Sequence, residues 1–101
     1  MSKPMRGHHL LIDLFGASRL DDVDGVERAM RDAVAAIGAT LLGIDLHRFG
    51  GGGGVTGVAT LAESHISVHT WPESGFAAID VFVCGELRPE AAIDVFRDAF
   101  S

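Results

Sequence analysis

Between Glu63 and Glu73 the chain reads Glu63-Ser64-His65-Ile66-Ser67-Val68-His69-Thr70-Trp71-Pro72-Glu73, a density of polar and titratable side chains unusual for a strand in so apolar a protein. Period-two alternation puts His65, Ser67, His69 and Trp71 on one face and Ile66, Val68 and Thr70 on the other. Two imidazoles on one face suit either metal binding or proton transfer. A metal site needs a third ligand such as His47 or Cys84, and no ligand pair has a recognised zinc spacing, so the sequence predicts no metal. The plainer alternative is a half-exposed strand whose histidines are simply hydrogen-bonded. Cys84 is the lone cysteine and reads either as a small buried apolar side chain or as a reactive thiol.

The elements that hold these residues follow from periodicity. A strand is expected from His9 to Phe15. Val23, Val26, Met30, Val34 and Ile37 then recur at spacings of three and four, the stripe of a helix, with Asp21, Asp22 and Asp24 near its start and Gly38 at its C-cap. Ala39 to Phe49 reads as a long strand running into Gly50 to Gly54, five glycines that predict a mobile loop. A phosphate-cradling loop is the sharper but disfavoured alternative there, because neither a Gly-Lys-Ser/Thr nor a helical pattern follows. Strands are expected over Val55–Ala62, His65–Trp71 and Phe76–Cys84. Pro89 suits a first helical position, and Ala92, Ile93, Phe96 and Phe100 form the apolar face of a last helix. Runs of strands flanked by helices predict an α+β, two-layer sandwich: an antiparallel sheet with both helices on one face. Because Phe76 to Ile79 and Val81 to Val83 are apolar on both sides of the pleat, the second face is expected to be covered by another copy of the chain in a homodimer.

Composition narrows the function. The 101 residues are 48% apolar and 22% charged, which excludes intrinsic disorder, and a net charge of −6 argues against nucleic acid as a partner. No apolar run approaches the roughly 18 to 20 residues that cross a bilayer, and the N-terminal apolar stretch is too short for a signal peptide. A single cysteine fits a reducing cytoplasm. One domain spanning 1–101 is expected. A domain of this size buries only about two thirds of its unfolded surface, which leaves apolar area for a subunit interface.

The segment Glu63 to Glu73, followed by Gly75-Phe76-Ala77-Ala78-Ile79-Asp80-Val81-Phe82 and Cys84-Gly85, closely resembles the prokaryotic pyruvoyl-dependent S-adenosylmethionine decarboxylases. The resemblance extends upstream through His47-Arg48-Phe49 and Gly54-Val55-Thr56-Gly57, and more weakly to Gly7-His8-His9-Leu10 and the first helix, so it covers most of the chain. It implies self-cleavage between Glu63 and Ser64 into a 1–63 and a 64–101 fragment, with Ser64 becoming a covalent pyruvoyl cofactor. That group condenses with a substrate amine and draws off electrons as carbon dioxide leaves, much as pyridoxal phosphate does.

The resemblance also assigns roles. His69 matches a base that acts on the Ser64 α-carbon during processing, and Thr56 takes the place of a serine hydroxyl that assists it. Cys84 matches the acid that protonates the substrate carbon. Phe49 matches an aromatic ring that stacks on adenine, and Glu73 a carboxylate that accepts hydrogen bonds from ribose hydroxyls. Trp71 is read as packing. The chain departs from the family pattern in its five-glycine loop, in Ser74-Gly75-Phe76 where relatives carry Tyr-Gly-Tyr, and in stopping at Ser101 where relatives continue into another strand. The implied function is decarboxylation of S-adenosylmethionine for spermidine synthesis by a cytoplasmic homodimer of cleaved protomers, with no membrane partner. Two other readings stay open: the same chemistry on arginine or ornithine, and a regulatory or binding domain that never cleaves.

Overall fold

Ile66, Val68 and Thr70 are buried while the side chains that alternate with them face outward, and this two-sidedness organises the whole sheet. The computed structural model describes residues 7–101. In chain order these form β1 (Gly7–Leu14), α1 (Val23–Ile37), β2 (Leu41–Arg48), β3 (Val55–Leu61), β4 (Ser64–Trp71), β5 (Phe76–Cys84) and α2 (Ala91–Ala99), with a 3-10 turn at Pro72–Ser74. The five strands make one antiparallel sheet in the order β1-β5-β4-β3-β2. Both helices contribute to a single core on one face. Val26, Met30, Ala33 and Val34 of α1 and Ala92 and Phe96 of α2 meet Ala59, Ile66, Val68, Ile79 and Val81 of the sheet. The α+β sandwich expected from the sequence is the observed fold.

Local chemistry explains the boundaries. Asp22 is the N-cap of α1, its carboxylate accepting from the Gly25 amide at 3.1 Å, and Gly38 ends the helix in the left-handed conformation with φ 81. The chain is still closing the helix at Ala39, whose amide donates to Val34, so β2 starts at Leu41 rather than Ala39. Thr70 is the one buried polar residue among the described residues; its hydroxyl donates to the Leu20 carbonyl at 2.7 Å and accepts from the Val55 amide at 2.8 Å. That pair of bonds pins the start of β3 and the approach to α1 onto β4.

Two expectations are corrected. Pro89 does not open α2: the N-cap is Glu90, and Pro89 sits before it in a turn where its carbonyl accepts from the Ala92 amide at 3.0 Å. The helical phase begins later because this turn satisfies the first amides itself. The five-glycine segment is also not uniformly unpacked. The Phe49 amide donates to the Gly54 carbonyl at 2.9 Å to close the hairpin, and a Cβ at Gly54 would overlap the Thr70 carbonyl oxygen, so only glycine fits there.

The second face of the sheet is bare in a single chain. Leu11, Leu42 and Val58 lie exposed on the strands, with Leu11 at 70%. Among the described residues no helix is long and apolar enough to cross a membrane.

Candidate active site

Cross-strand register arranges the open face in rows. One row runs Asp13, Ala78, His69, Thr56 and His47 across β1, β5, β4, β3 and β2. A second runs Leu11, Asp80, Ser67, Val58 and Asp45, and a third runs His9, Phe82, His65, Thr60 and Gly43. Because register partners stand about 5 Å apart, each row is a set of neighbours drawn from distant parts of the chain.

Ser64 starts β4, directly after the connection Ala62–Glu63 that joins β3 to β4. Tight two-residue hairpins favour Gly, Asn or Asp at left-handed positions. Here Glu63 occupies that position with φ 60, a conformation that costs a residue with a Cβ about 1–2 kcal/mol. The sheet imposes it: Leu61 pairs with Ser64 on one side, and the Ala62 amide is held by the Thr40 carbonyl at 3.1 Å. The Ser64 hydroxyl is fixed in turn by the Cys84 amide, which donates to Oγ at 3.2 Å. Strained peptide, oriented hydroxyl and free thiol of Cys84 therefore share one end of the central strands.

The other predicted residues collect at the opposite end. Phe49, Thr56, His69 and Glu73 line a cleft of about 470 Å³ together with Trp71 and the glycines at 53 and 54. Thr56 Oγ1 lies 3.4 Å from His69 Nδ1, the hydroxyl donating when that nitrogen carries no proton. Phe49 is half exposed and its ring meets His47 edge-on at 4.6 Å, which holds a flat apolar surface toward the cleft. Glu73 projects from the 3-10 turn, closed by Gly75 in the left-handed region with φ 62. A larger depression, about 510 Å³, lies between the helices and is lined by Arg19, Asp22, Arg28 and Asp98; it contains none of the candidate residues.

Trp71 was expected to be packing, and the structure places it elsewhere. It is 42% exposed on the open face, stacked between His69 at 6.3 Å and Phe76 at 5.3 Å, with Phe15 continuing the ladder beyond Phe76. The signal was present in the sequence, since Trp71 shares its alternation phase with His69. The structure also gathers His9, His65 and Asp80, a set the sequence did not suggest because it draws on three strands. His65 and His69 share a face yet do not form a site together, being four residues, about 13 Å, apart along β4.

Ser64 and His69 are further apart still. Five residues of strand separate them by about 16 Å, beyond any hydrogen bond within one chain. The arrangement is thus two half-sites at the two ends of β4: Ser64 with Cys84, and His69 with Thr56, Phe49, Trp71 and Glu73.

Comparison with known proteins identifies the family of the chain. The family model described as S-adenosylmethionine decarboxylase matches residues 8–101. The chain is 50% identical over 95 residues to the S-adenosylmethionine decarboxylase proenzyme of Thermomicrobium roseum, covering 93% of this chain and 82% of that protein. It is 53% identical over 95 residues to the proenzyme of the same name from Methanococcus aeolicus, covering 91% and 80% of the two. The crystal structure of the adenosylmethionine decarboxylase from Aquifex aeolicus superposes with a TM-score of 0.76 at 36% identity, over 92% of this chain and 76% of that one. The chain belongs to the S-adenosylmethionine decarboxylase family.

Proposed function

We propose that this protein is a self-processing decarboxylase of S-adenosylmethionine that makes its own pyruvoyl group from Ser64. The observation that carries the reading is the conjunction of a left-handed Glu63 with a Ser64 hydroxyl held by the Cys84 amide. Strain in the peptide raises the ground state of the bond to be broken, and the donor at Oγ selects one rotamer of the attacking hydroxyl. Attack of Oγ on the Glu63 carbonyl carbon, with a proton passing to the Ser64 nitrogen, exchanges the amide for an ester. Removal of the Ser64 α-proton then expels the Glu63 carboxylate and leaves dehydroalanine, which water converts to the pyruvoyl end with loss of ammonia. The products are the 1–63 and 64–101 fragments.

His69 is the base in this scheme, supported by the Thr56 hydroxyl beside it. Its distance from Ser64 in one chain makes the complete site an intermolecular one. A two-fold axis lying between the two apposed sheets, parallel to them and perpendicular to β4 midway between the half-sites, lays the Ser64 end of one protomer over the His69 end of its partner, twice over. The bare face with its exposed Leu11, Leu42 and Val58 is the surface such a homodimer buries.

In the mature site the pyruvoyl carbonyls accept the electron pair released with carbon dioxide. The protein supplies the rest. Phe49 and Trp71 offer aromatic faces for adenine, Glu73 accepts from the ribose hydroxyls, and the Cys84 thiol returns a proton to the substrate carbon. The apposed sheets exclude water while this happens. The decarboxylated product is an aminopropyl donor for spermidine, made in the reducing cytoplasm that a lone cysteine suits.

Denaturing mass spectrometry of purified protein tests the reading together with carbon dioxide release from carboxyl-labelled substrates. Two fragments split before Ser64, a carbonyl that hydrazine captures on the second, and release from S-adenosylmethionine rather than arginine or ornithine are expected. One intact chain without that carbonyl overturns the proposal.

A further inference from the structure

His9, His65 and Asp80 stand outside the machinery described above, and we infer that they form a binding site for one divalent transition-metal ion of the zinc type on the open sheet face. Asp80 Oδ1 lies 3.1 Å from His9 Nε2 and 3.0 Å from His65 Nε2, and the three potential ligand atoms all fall within 4.8 Å of one another. Zinc–ligand bonds of about 2.0–2.2 Å at tetrahedral angles place neighbouring ligand atoms about 3.4 Å apart, so an ion needs Asp80 to move by a few tenths of an ångström and the two imidazole nitrogens, within 4.8 Å of each other, to close by at most about 1.4 Å.

Three features prepare the side chains for that role. The Ser67 hydroxyl donates to Asp80 Oδ2 at 2.9 Å, which satisfies the far oxygen and presents Oδ1 to the histidines. Phe82 stands between the two imidazoles in register, edge-on to His9 at 5.9 Å and stacked on His65 at 5.7 Å, so both rings are braced. The ligands come from β1, β4 and β5, adjacent strands of one sheet, and a rigid backbone fixes their spacing. Two imidazole nitrogens and one carboxylate oxygen favour zinc, nickel, cobalt or copper over magnesium or calcium, which prefer all-oxygen shells. Both imidazoles are partly exposed in the single chain, side chains 52% and 44%, which leaves a coordination position that faces the partner's sheet in the proposed homodimer. No short-range spacing marks this set, because its ligands are brought together by strand register across the sheet.

The test is zinc titration of chelator-treated, tag-free protein by isothermal calorimetry, with cobalt absorption as a second readout. One ion per chain, cobalt bands without a thiolate charge-transfer component, and about tenfold weaker binding in Ser67→Ala support the site. Larger losses are expected in Asp80→Asn and His65→Gln, and none in His47→Gln, which reports adventitious binding by surface histidine. His9→Gln lies on the edge strand and keeps the measurement possible if a central-strand variant fails to fold. Absence of stoichiometric zinc binding, or binding unchanged in all three ligand variants, overturns the inference and leaves the cluster as a hydrogen-bonded triad.

Discussion

The amide of Cys84 donates to the hydroxyl of Ser64 at 3.2 Å, joining the last residue of β5 to the first residue of β4. The bond uses the backbone of Cys84 and leaves its thiol uncommitted. Processing and turnover therefore separate in mutants. Cys84→Ala keeps the donor, so fragments still form, while decarboxylation falls about 10²- to 10⁴-fold with loss of the proton donor. Intact mass and initial rates measured on the same preparation check both halves; an unchanged rate removes the thiol from the mechanism.

Glu63 lies in the left-handed region without the glycine that would relieve it. In a Ser64→Ala background, where no cleavage is possible, Glu63→Gly is expected to gain up to about 1 kcal/mol in urea unfolding as the strain is released. With Ser64 restored, the same change slows fragment formation, because the ground state of the scissile peptide is lowered. Faster scission in Glu63→Gly is the result that contradicts the role assigned to strain.

The separation of Ser64 from His69 predicts complementation. Ser64→Ala and His69→Ala are each inactive alone. Refolded together in equal amounts, half of the dimers are mixed and each mixed dimer holds one intact site, so about one quarter of the wild-type sites return. Sites assembled within single chains return none.

Asp80 gives a pH dependence with a definite sign. Partial burial pushes its carboxyl up, but the hydrogen bonds from Ser67 and His9 and the charges of His65 and His9 outweigh it and hold the group below its ordinary 3.8. The fold therefore binds this proton less readily than the unfolded chain, and the stabilisation is complete above the ordinary value and is lost as pH falls through the depressed one. In chelator-containing buffer, Ser67→Ala melts below wild type at neutral pH, and the gap closes on acidification through that range. A gap that widens in acid contradicts the assignment.

Much of the fold was legible in the chain because alternation and helical spacing are local properties. The stripe Val23, Val26, Met30, Val34 and Ile37 became α1, and Gly38 became its C-cap for a steric reason visible in one residue. Pro89 misled because a turn before α2 satisfied the amides that the proline was expected to excuse. In the candidate site, the residue types were readable but their grouping was not. The strand expected over His65–Trp71 already spaced Ser64 from His69, whereas Thr56 and His69 meet only through the β3–β4 register. The trio His9, His65 and Asp80 stayed hidden for the same reason, since register across a sheet is set by the whole set of strand pairings and not by any short segment; Trp71 was legible from its alternation phase with His69.

The strand order has one more consequence. β4 and β5 lie between β3 and β1, so the proposed scission before Ser64 would free an end without freeing a piece. The shorter product would stay inlaid in the longer one, with a ladder of hydrogen bonds along each flank. Two polypeptides synthesised separately would each carry naked strand edges and no partner of fixed register, so under the proposed processing a single continuous precursor would act as the template for its own two-chain product.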